Sequence, residues 1–360
     1  MNYRTSIGLD VHARSIKAAA FVPETGEIIE KSFAYSPLEI TEWALTLPGP
    51  VRAVYESGPT GFDLARKLMA SGIDCEVGAV TKMLRPTGDR IKTDKRDAIF
   101  LARMLAVGNI VSVHIPVPEE EAARDVVRAR EDAREELTRA KLLLRTFLLR
   151  KGIVYDGATG TKKYERWLDT LTFELADEHF AFDEYLAGIA CANQKKLRLD
   201  EQIKMRAAQE PYVDRVLRIQ CLRGIGTLVA FALVVEIGDF TRFTNARAFM
   251  SYLGLVPSES SSGESVSRGG ITKTGNTHIR KLLTEAAWLQ GRWYSPNSVE
   301  VVKNLSSVPA PIAAIAEKAN KRLHKRYLHL KGRNKPTCLV NSAVARELAG
   351  WIWTLETATI

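Results

Sequence analysis

The chain has 360 residues, a formal net charge of +9 and a hydrophobic content of 46%, enough for two or three cored domains and too apolar for a disordered chain. A folded protein this basic favours polyanionic partners, nucleic acid ahead of an acidic membrane surface. Its four cysteines form no CxxC pair, its most apolar run (228–235) is far short of a membrane span and residues 1–6 hold no signal-peptide core, so zinc, disulfides and a membrane are set aside and a soluble, cytoplasmic protein is expected.

Residues 6–11 read as a buried strand ending in an acid, Asp10, with a second strand at 17–22 after a turn at 12–15. Thr25-Gly26-Glu27 turns the chain into a third strand at 28–33, and a helix at 38–47 stops at Pro48-Gly49-Pro50. Residues 51–56 alternate as a strand and end on Glu56, followed by Ser57-Gly58-Pro59-Thr60-Gly61. A helix at 62–69, a strand at 75–80 and a helix opened by Lys92-Thr93-Asp94-Lys95-Arg96-Asp97-Ala98 complete the region. A β-meander followed by βαβα units makes an α/β domain with at least one parallel pair.

In such a sheet the carboxyl ends of neighbouring parallel strands meet at one crevice. Asp10 and Glu56 both hold that position if the first and fourth strands are neighbours. Asp94 and Asp97, three apart on a helix, share a face. Taken singly, acids in a first helical turn serve the helix dipole and a strand-end acid serves a turn. Together, four carboxylates so close would repel one another without cations, so the cluster is expected to hold divalent metal, Mg²⁺ with Mn²⁺ as a substitute.

After Ile115-Pro116-Val117-Pro118, residues 119–149 lack glycine and proline and read as a long helix, acidic early and basic late. A second helical region at 164–205 would return against it as an antiparallel arm. The arginines between 124 and 150 suit either a solvated face or a phosphate backbone. Residues 216–226, with Gly224-Ile225-Gly226 before an apolar helix through 235, read as a helix-hairpin-helix whose turn amides bind phosphate; Arg223 adds a cation there. The Ser- and Gly-rich stretch 258–276 reads on composition as a mobile loop. It carries Arg268 and Lys273 and opens a helix with Arg280 and Lys281, phosphate-binding groups beside serine hydroxyls.

Gly8-Leu9-Asp10-Val11-His12, Glu56-Ser57-Gly58-Pro59-Thr60-Gly61 and the 92–98 stretch resemble the three acidic motifs of the DEDD-type transposases of bacterial insertion sequences, the IS-one-ten family. Residues 254–280 resemble that family's C-terminal domain, and the likeness covers nearly the whole chain, least specifically in its middle. The resemblance implies an α/β plus α fold: a ribonuclease-H-like (RuvC-like) domain at 1–118, a helical coiled-coil arm at 119–210 and a mostly helical transposase domain at 211–360. It implies that Asp10, Glu56, Asp94 and Asp97 bind the catalytic metals and that Ser262, with Ser261 as the alternative register, attacks DNA to form a phosphoserine. It further implies donor and target DNA and a structured, element-encoded guide RNA as partners, a homodimer assembling to a tetramer, and a place beside the bacterial nucleoid. Other readings are a Holliday-junction-type nuclease using water, a DNA invertase and an architectural nucleic-acid binder.

Overall fold

A computed structural model describes residues 3–79, 93–262, 265–293, 295–296 and 298–359, with the backbone alone described at 261, 262, 265, 266 and 268. Val80, Lys92, Gly263 and Glu264, which belong to elements or motifs expected above, lie outside the described residues. The chain divides into two compact units, Met1–Val117 and Pro118–Ile360.

In the first unit β1 (Thr5–Val11), β2 (Ser15–Val22), β3 (Glu27–Ala34), β4 (Val51–Glu56) and β5 (Asp74–Gly78) form one sheet in the order β3-β2-β1-β4-β5. The first three strands are an antiparallel meander; β4 and β5 run parallel to β1, with Leu9 opposite Tyr55. Strands covered on both faces carry near-continuous apolar runs. Ile7, Leu9, Ala53 and Tyr55 accordingly join one core with Ile40 and Trp43 of α1 (Pro37–Leu45) and Leu64 and Leu68 of α2 (Asp63–Ala70). On the opposite face Val54 packs with Leu101 and Leu105 of α3 (Asp94–Ala106).

Strand alternation puts Gly8, Asp10 and His12 of β1 and its following turn, and Val54 and Glu56 of β4, toward that second face. Helix α3 crosses β1 so closely that a Cβ at Gly8 would stand 2.0 Å from the Ala98 carbonyl oxygen. Arg52 ties the far end of α3 to the sheet, its Nη2 donating to the Leu105 carbonyl at 2.6 Å. Thr93 caps the near end: its hydroxyl accepts the Arg96 amide at 3.3 Å, which fixes Asp94 and Asp97 in the first turn.

In the second unit α4 (Pro118–Arg150) and α6 (Ala176–Ala207) lie antiparallel, cross-linked by Lys195–Glu136 at 2.9 Å and Arg130–Asp200 at 2.8 Å. The helical region expected at 164–205 consists of two helices, α5 (Lys162–Leu168) and α6. The chain leaves helical geometry between them and Phe173 packs against Phe147 and Phe182; burial of aromatic surface outweighs helix continuation there. The arginine-rich face of α4 divides: its first half is tied into the protein, while Arg139, Arg145 and Arg150 are exposed. Arg124 donates to the Val235 carbonyl, Arg128 to Glu236 and Arg134 to Glu131.

The contacts of Arg124 and Arg128 hold α4 to the central helix α8 (Thr227–Ile237), whose residues from Ala230 on are all buried. A helix apolar all round belongs in a core. Around it the chain continues with α7 (Val213–Gln220), α9 (Ala246–Tyr252), α10 (Thr277–Leu289), α11 (Val299–Ser306), α12 (Ala310–Gly332) and α13 (Thr337–Thr357), which share its apolar cluster. No helix among the described residues is long and apolar enough to cross a membrane.

The stretch expected as a mobile loop is a hairpin, β6 (Pro257–Ser262) with β7 (Ser265–Ile271), Ser262 pairing with Ser265. Its base is pinned by two glycines with positive φ. A Cβ at Gly275 would stand 1.9 Å from the Tyr252 carbonyl oxygen, and one at Gly254 would stand 2.3 Å from that of Thr274. Composition reads such a segment as loop, but backbone pairing and close approach decide its state.

Candidate metal centre and nucleic-acid interface

The end of β1, the turn after it and the start of α3 meet at one point. His12 is held there by its own amide, which donates to the Ser15 carbonyl at 2.9 Å and closes the β1–β2 turn. Its Nε2 lies 3.3 Å from Asp10 Oδ2 and 3.6 Å from Asp94 Oδ2. Ligand atoms of Asp10, His12 and Asp94 all fall within 4.8 Å of one another, the only such group of three or more among the described residues.

Asp10 is the most enclosed of the three. Burial pushes its carboxyl above the usual aspartate range; Asp94 and Asp97 push it the same way, and His12 opposes them. A half-buried carboxylate raised by desolvation and like charge is relieved by a cation. Two carboxylates and an imidazole are a competent donor set for a divalent ion.

Of the four acids expected to cluster, two lie within this group. Asp10 and Asp94 share the point, Asp97 acts on Asp10 through its charge, and His12 takes part. Glu56 and Asp97 fall outside the three-residue group, although Glu56 ends the strand beside Asp10, one position beyond the Leu9–Tyr55 pair. The end of β4 is shaped for this: the Tyr55 hydroxyl donates to the Gly61 carbonyl at 2.8 Å and folds the 57–61 loop back, while the Ser57 amide donates to Gly78. An open groove of about 340 Å³ beside the group is lined by Val11, His12, Ala13, Tyr35, Pro59 and Thr60. His12 was missed by sequence reasoning, which took it as a turn residue; its spacing of two from Asp10 on a strand was the available signal.

In the second unit Ser262 stands at the last position of β6, and Ser261 pairs with Val266; Arg268 pairs in register with Glu259. Lys273 is exposed and holds a positive φ of 56° just after the hairpin. Lys281 is paired with Glu131 at 2.8 Å. The Arg280 guanidinium is turned inward: Nη1 donates to the carbonyls of Leu253 at 3.0 Å and Thr274 at 2.8 Å, and Nη2 to the Thr277 hydroxyl. Arg280 thus braces the hairpin base, a role its sequence neighbourhood did not suggest.

The Gly224-Ile225-Gly226 turn does join two helices, α7 and α8. Gly224 has a φ of 86°, and a Cβ there would stand 2.8 Å from the Ala286 carbonyl oxygen. The Arg223 amide donates to buried Asn320, Ile225 donates to Leu222, and the Arg223 side chain reaches the carbonyls of Arg292 and Trp293. Two of the turn's amides and the expected extra cation are therefore engaged within the protein.

Comparison with known proteins matches both units to one family. A model of the transposase IS116/IS110/IS902 family matches residues 217–302, and a second model, of DEDD transposases, matches residues 7–152. The chain is 38% identical over 303 residues to a putative transposase, y4qE, of Sinorhizobium fredii, covering 84% of this chain and 74% of that protein. It is 32% identical over 343 residues to the transposase for insertion sequence element IS1533 of Leptospira borgpetersenii, covering 93% and 99% respectively. A third relative, the transposase for insertion sequence element IS1328 of Yersinia enterocolitica, is 25% identical over 297 residues. With acids gathered at the carboxyl end of a parallel strand pair in one unit and a serine-bearing hairpin in the other, the chain belongs to the IS116/IS110/IS902 family of insertion-sequence transposases, enzymes whose substrate is DNA.

Proposed function

We propose that the protein cuts and rejoins DNA through a covalent serine intermediate, with metal held by the acids of the first unit. The observation that carries this reading is the convergence of Asp10, His12 and Asp94, with Asp97 and Glu56 beside them, in a family of DNA transposases. The strand order and the position of the acids support a ribonuclease-H-like, RuvC-like assignment for 1–118, with 119–210 as the arm and 211–360 as the serine-bearing domain.

Asp10, Asp94 and His12 would hold a divalent ion, Mg²⁺ or Mn²⁺ in its place, assisted by Glu56 and Asp97. Such an ion polarises a phosphate and stabilises charge on entering and leaving oxygens. The Ser262 hydroxyl, or Ser261 in the alternative register, attacks DNA phosphorus. Its Oγ–P bond forms, the P–O bond to the deoxyribose breaks, the serine proton is lost and the departing sugar oxygen takes one up. The ester preserves the bond energy of the broken strand, so reversal by a new sugar hydroxyl rejoins DNA without ATP. Lys273 and Arg268 are suited to oppose the phosphate charge. A guide RNA, which a net charge of +9 would accommodate, and a homodimer assembling to a tetramer complete the reading.

The test is to stop a reaction on element-end DNA with denaturant. Protein joined covalently to DNA is expected, lost in Ser262→Ala, and both joining and Mn²⁺ binding are expected to vanish in Asp10→Ala. Cut DNA with no attached protein would replace the serine step by hydrolysis, full joining in Asp10→Ala would remove the metal role of Asp10, and DNA bound but never cut by the parent would leave a binding protein only.

A further inference from the structure

An open cleft of about 490 Å³ runs between α10 and α13, within the size range of ligand sites. Lys281, Thr284 and Trp288 line it from one face of α10, while Ile279, Leu283 and Ala287 on the helix's other side are buried in the core. From α13 come Asn341 and Ser342, and Lys273 stands at one end.

Two features of this cleft are unexplained by folding. Asn341 is only 7% exposed, and its Oδ1 is closed to solvent with no hydrogen-bond donor. Buried amides in folded proteins are nearly always paired. Trp288 is 62% exposed, so a large indole spends most of its surface on water. An aromatic face, an amide without a partner and lysines nearby are the groups that stack a base, read its edge and hold its phosphate.

We infer that the α10–α13 cleft receives one unstacked adenine nucleotide of a bound strand, its base on Trp288, its edge on Asn341 and its phosphates toward Lys273 and Lys281. This rests on the reading of the second unit as nucleic-acid-binding. Asparagine pairs with adenine by accepting from N6 and donating to N7. Guanine presents two acceptors on that edge and would leave Asn341 Oδ1 without a donor; cytosine has the amine but less ring to cover the indole. Because Oδ1 is closed to solvent in the free protein, binding requires the amide to turn and present Oδ1 and Nδ2 to the base. Lys281 spends one donor on Glu131, which Arg134 also holds, and retains others for a phosphate. Glu285, also in the cleft wall, disfavours an anionic group there and leaves the phosphates to the lysine end.

The test uses the full-length protein and short single strands, in DNA and in RNA, with one central adenine, purine lacking the N6 amine, or an abasic position in a pyrimidine background. Affinity for the adenine strand is expected to exceed that for the abasic strand about tenfold. Trp288→Ala, exposed and so harmless to folding, should erase that difference, and Asn341→Ala should erase the difference between adenine and purine. Discrimination seen with DNA alone assigns a donor or target strand, with RNA alone the guide, and with both a site blind to the sugar. Salt-sensitive binding that ignores the central base overturns the cleft alone. Failure of every strand to bind at low salt overturns the nucleic-acid reading and the cleft with it.

Discussion

Gly8 controls the distance between the sheet and the helix that carries half of the acids. Its Cα faces the Ala98 carbonyl, and a methyl there would stand 2.0 Å from that oxygen and 2.5 Å from the Ala102 nitrogen, both backbone atoms that cannot swing aside. Gly8→Ala must therefore push α3 off β1 and carry Asp94 away from Asp10. Overpacking of this kind costs about 1–3 kcal/mol, and the rigid neighbours put this case at the upper end. The expected result is a lower urea midpoint together with weaker Mn²⁺ binding. Gly188, in α6 with nothing within 4 Å of a built Cβ, is the contrast: Gly188→Ala should stabilise by about 0.5–1 kcal/mol. Equal effects from the two substitutions would show that α3 is not held by that contact. At this scale the sequence was readable for Asp10 and Asp94, because acids at a strand end and a helix start have few other reasons to recur together. For His12 the only signal was its spacing of two from Asp10, a weak one, since a single imidazole in a turn shows its direction only once the turn has closed.

Among the elements, α4 and α10 are joined by charge. Glu131 of α4 sits between Arg134 of its own helix at 2.7 Å and Lys281 of α10 at 2.8 Å, and its side chain is only 14% exposed. The hydrogen bond from Arg134, with Lys281 adding to it, lowers its carboxyl from the ordinary 4.5 to about 2. The folded state thus holds this carboxylate more readily charged than the unfolded chain does. Stability from it is complete above the unfolded value, and it drains away as pH falls from about 4.5 toward about 2. Glu131→Gln should be less stable than the parent at pH 7 and should lose less stability across that acid window, measured by urea midpoints at each pH. Parallel curves for the two proteins would remove Glu131 as an acid-sensitive link. Elements were largely legible where one force dominated: a buried apolar run marked β1, alternation marked β4, and the all-apolar run marked α8. They were misread where two competed. Ser and Gly between 257 and 271 suppressed a strand assignment, because the force that makes the strands there is backbone pairing, which leaves no hydrophobic pattern in the sequence. Reading 164–205 as one helical region passed over a break at which Phe173 enters an aromatic cluster, a contact that depends on partners far away in sequence.

For the whole molecule, a net charge of +9 says that nucleic acid is bound partly by release of counterions, but not which bases release them. The fold divides the candidates. Arg280 commits three donors to Leu253, Thr274 and Thr277, and Lys281 spends one of its three on Glu131. Lys273, exposed beside the hairpin, is the base best placed to meet a phosphate. The logarithm of affinity should fall linearly with the logarithm of salt, and each phosphate neutralised contributes about 0.9 to the slope for duplex DNA. Lys273→Gln is expected to lower the slope by about one while weakening all sequences alike. Arg280→Gln should change the slope by less and act mainly on stability, because two backbone carbonyls lose their donor at about 1–3 kcal/mol each if left unpaired. The measurement is a salt titration of duplex binding for the parent and both variants, with urea midpoints beside it. A full unit of slope lost in Arg280→Gln with its midpoint unchanged would reverse the assignment, placing the arginine on DNA and leaving the hairpin base to be held by its glycine contacts alone.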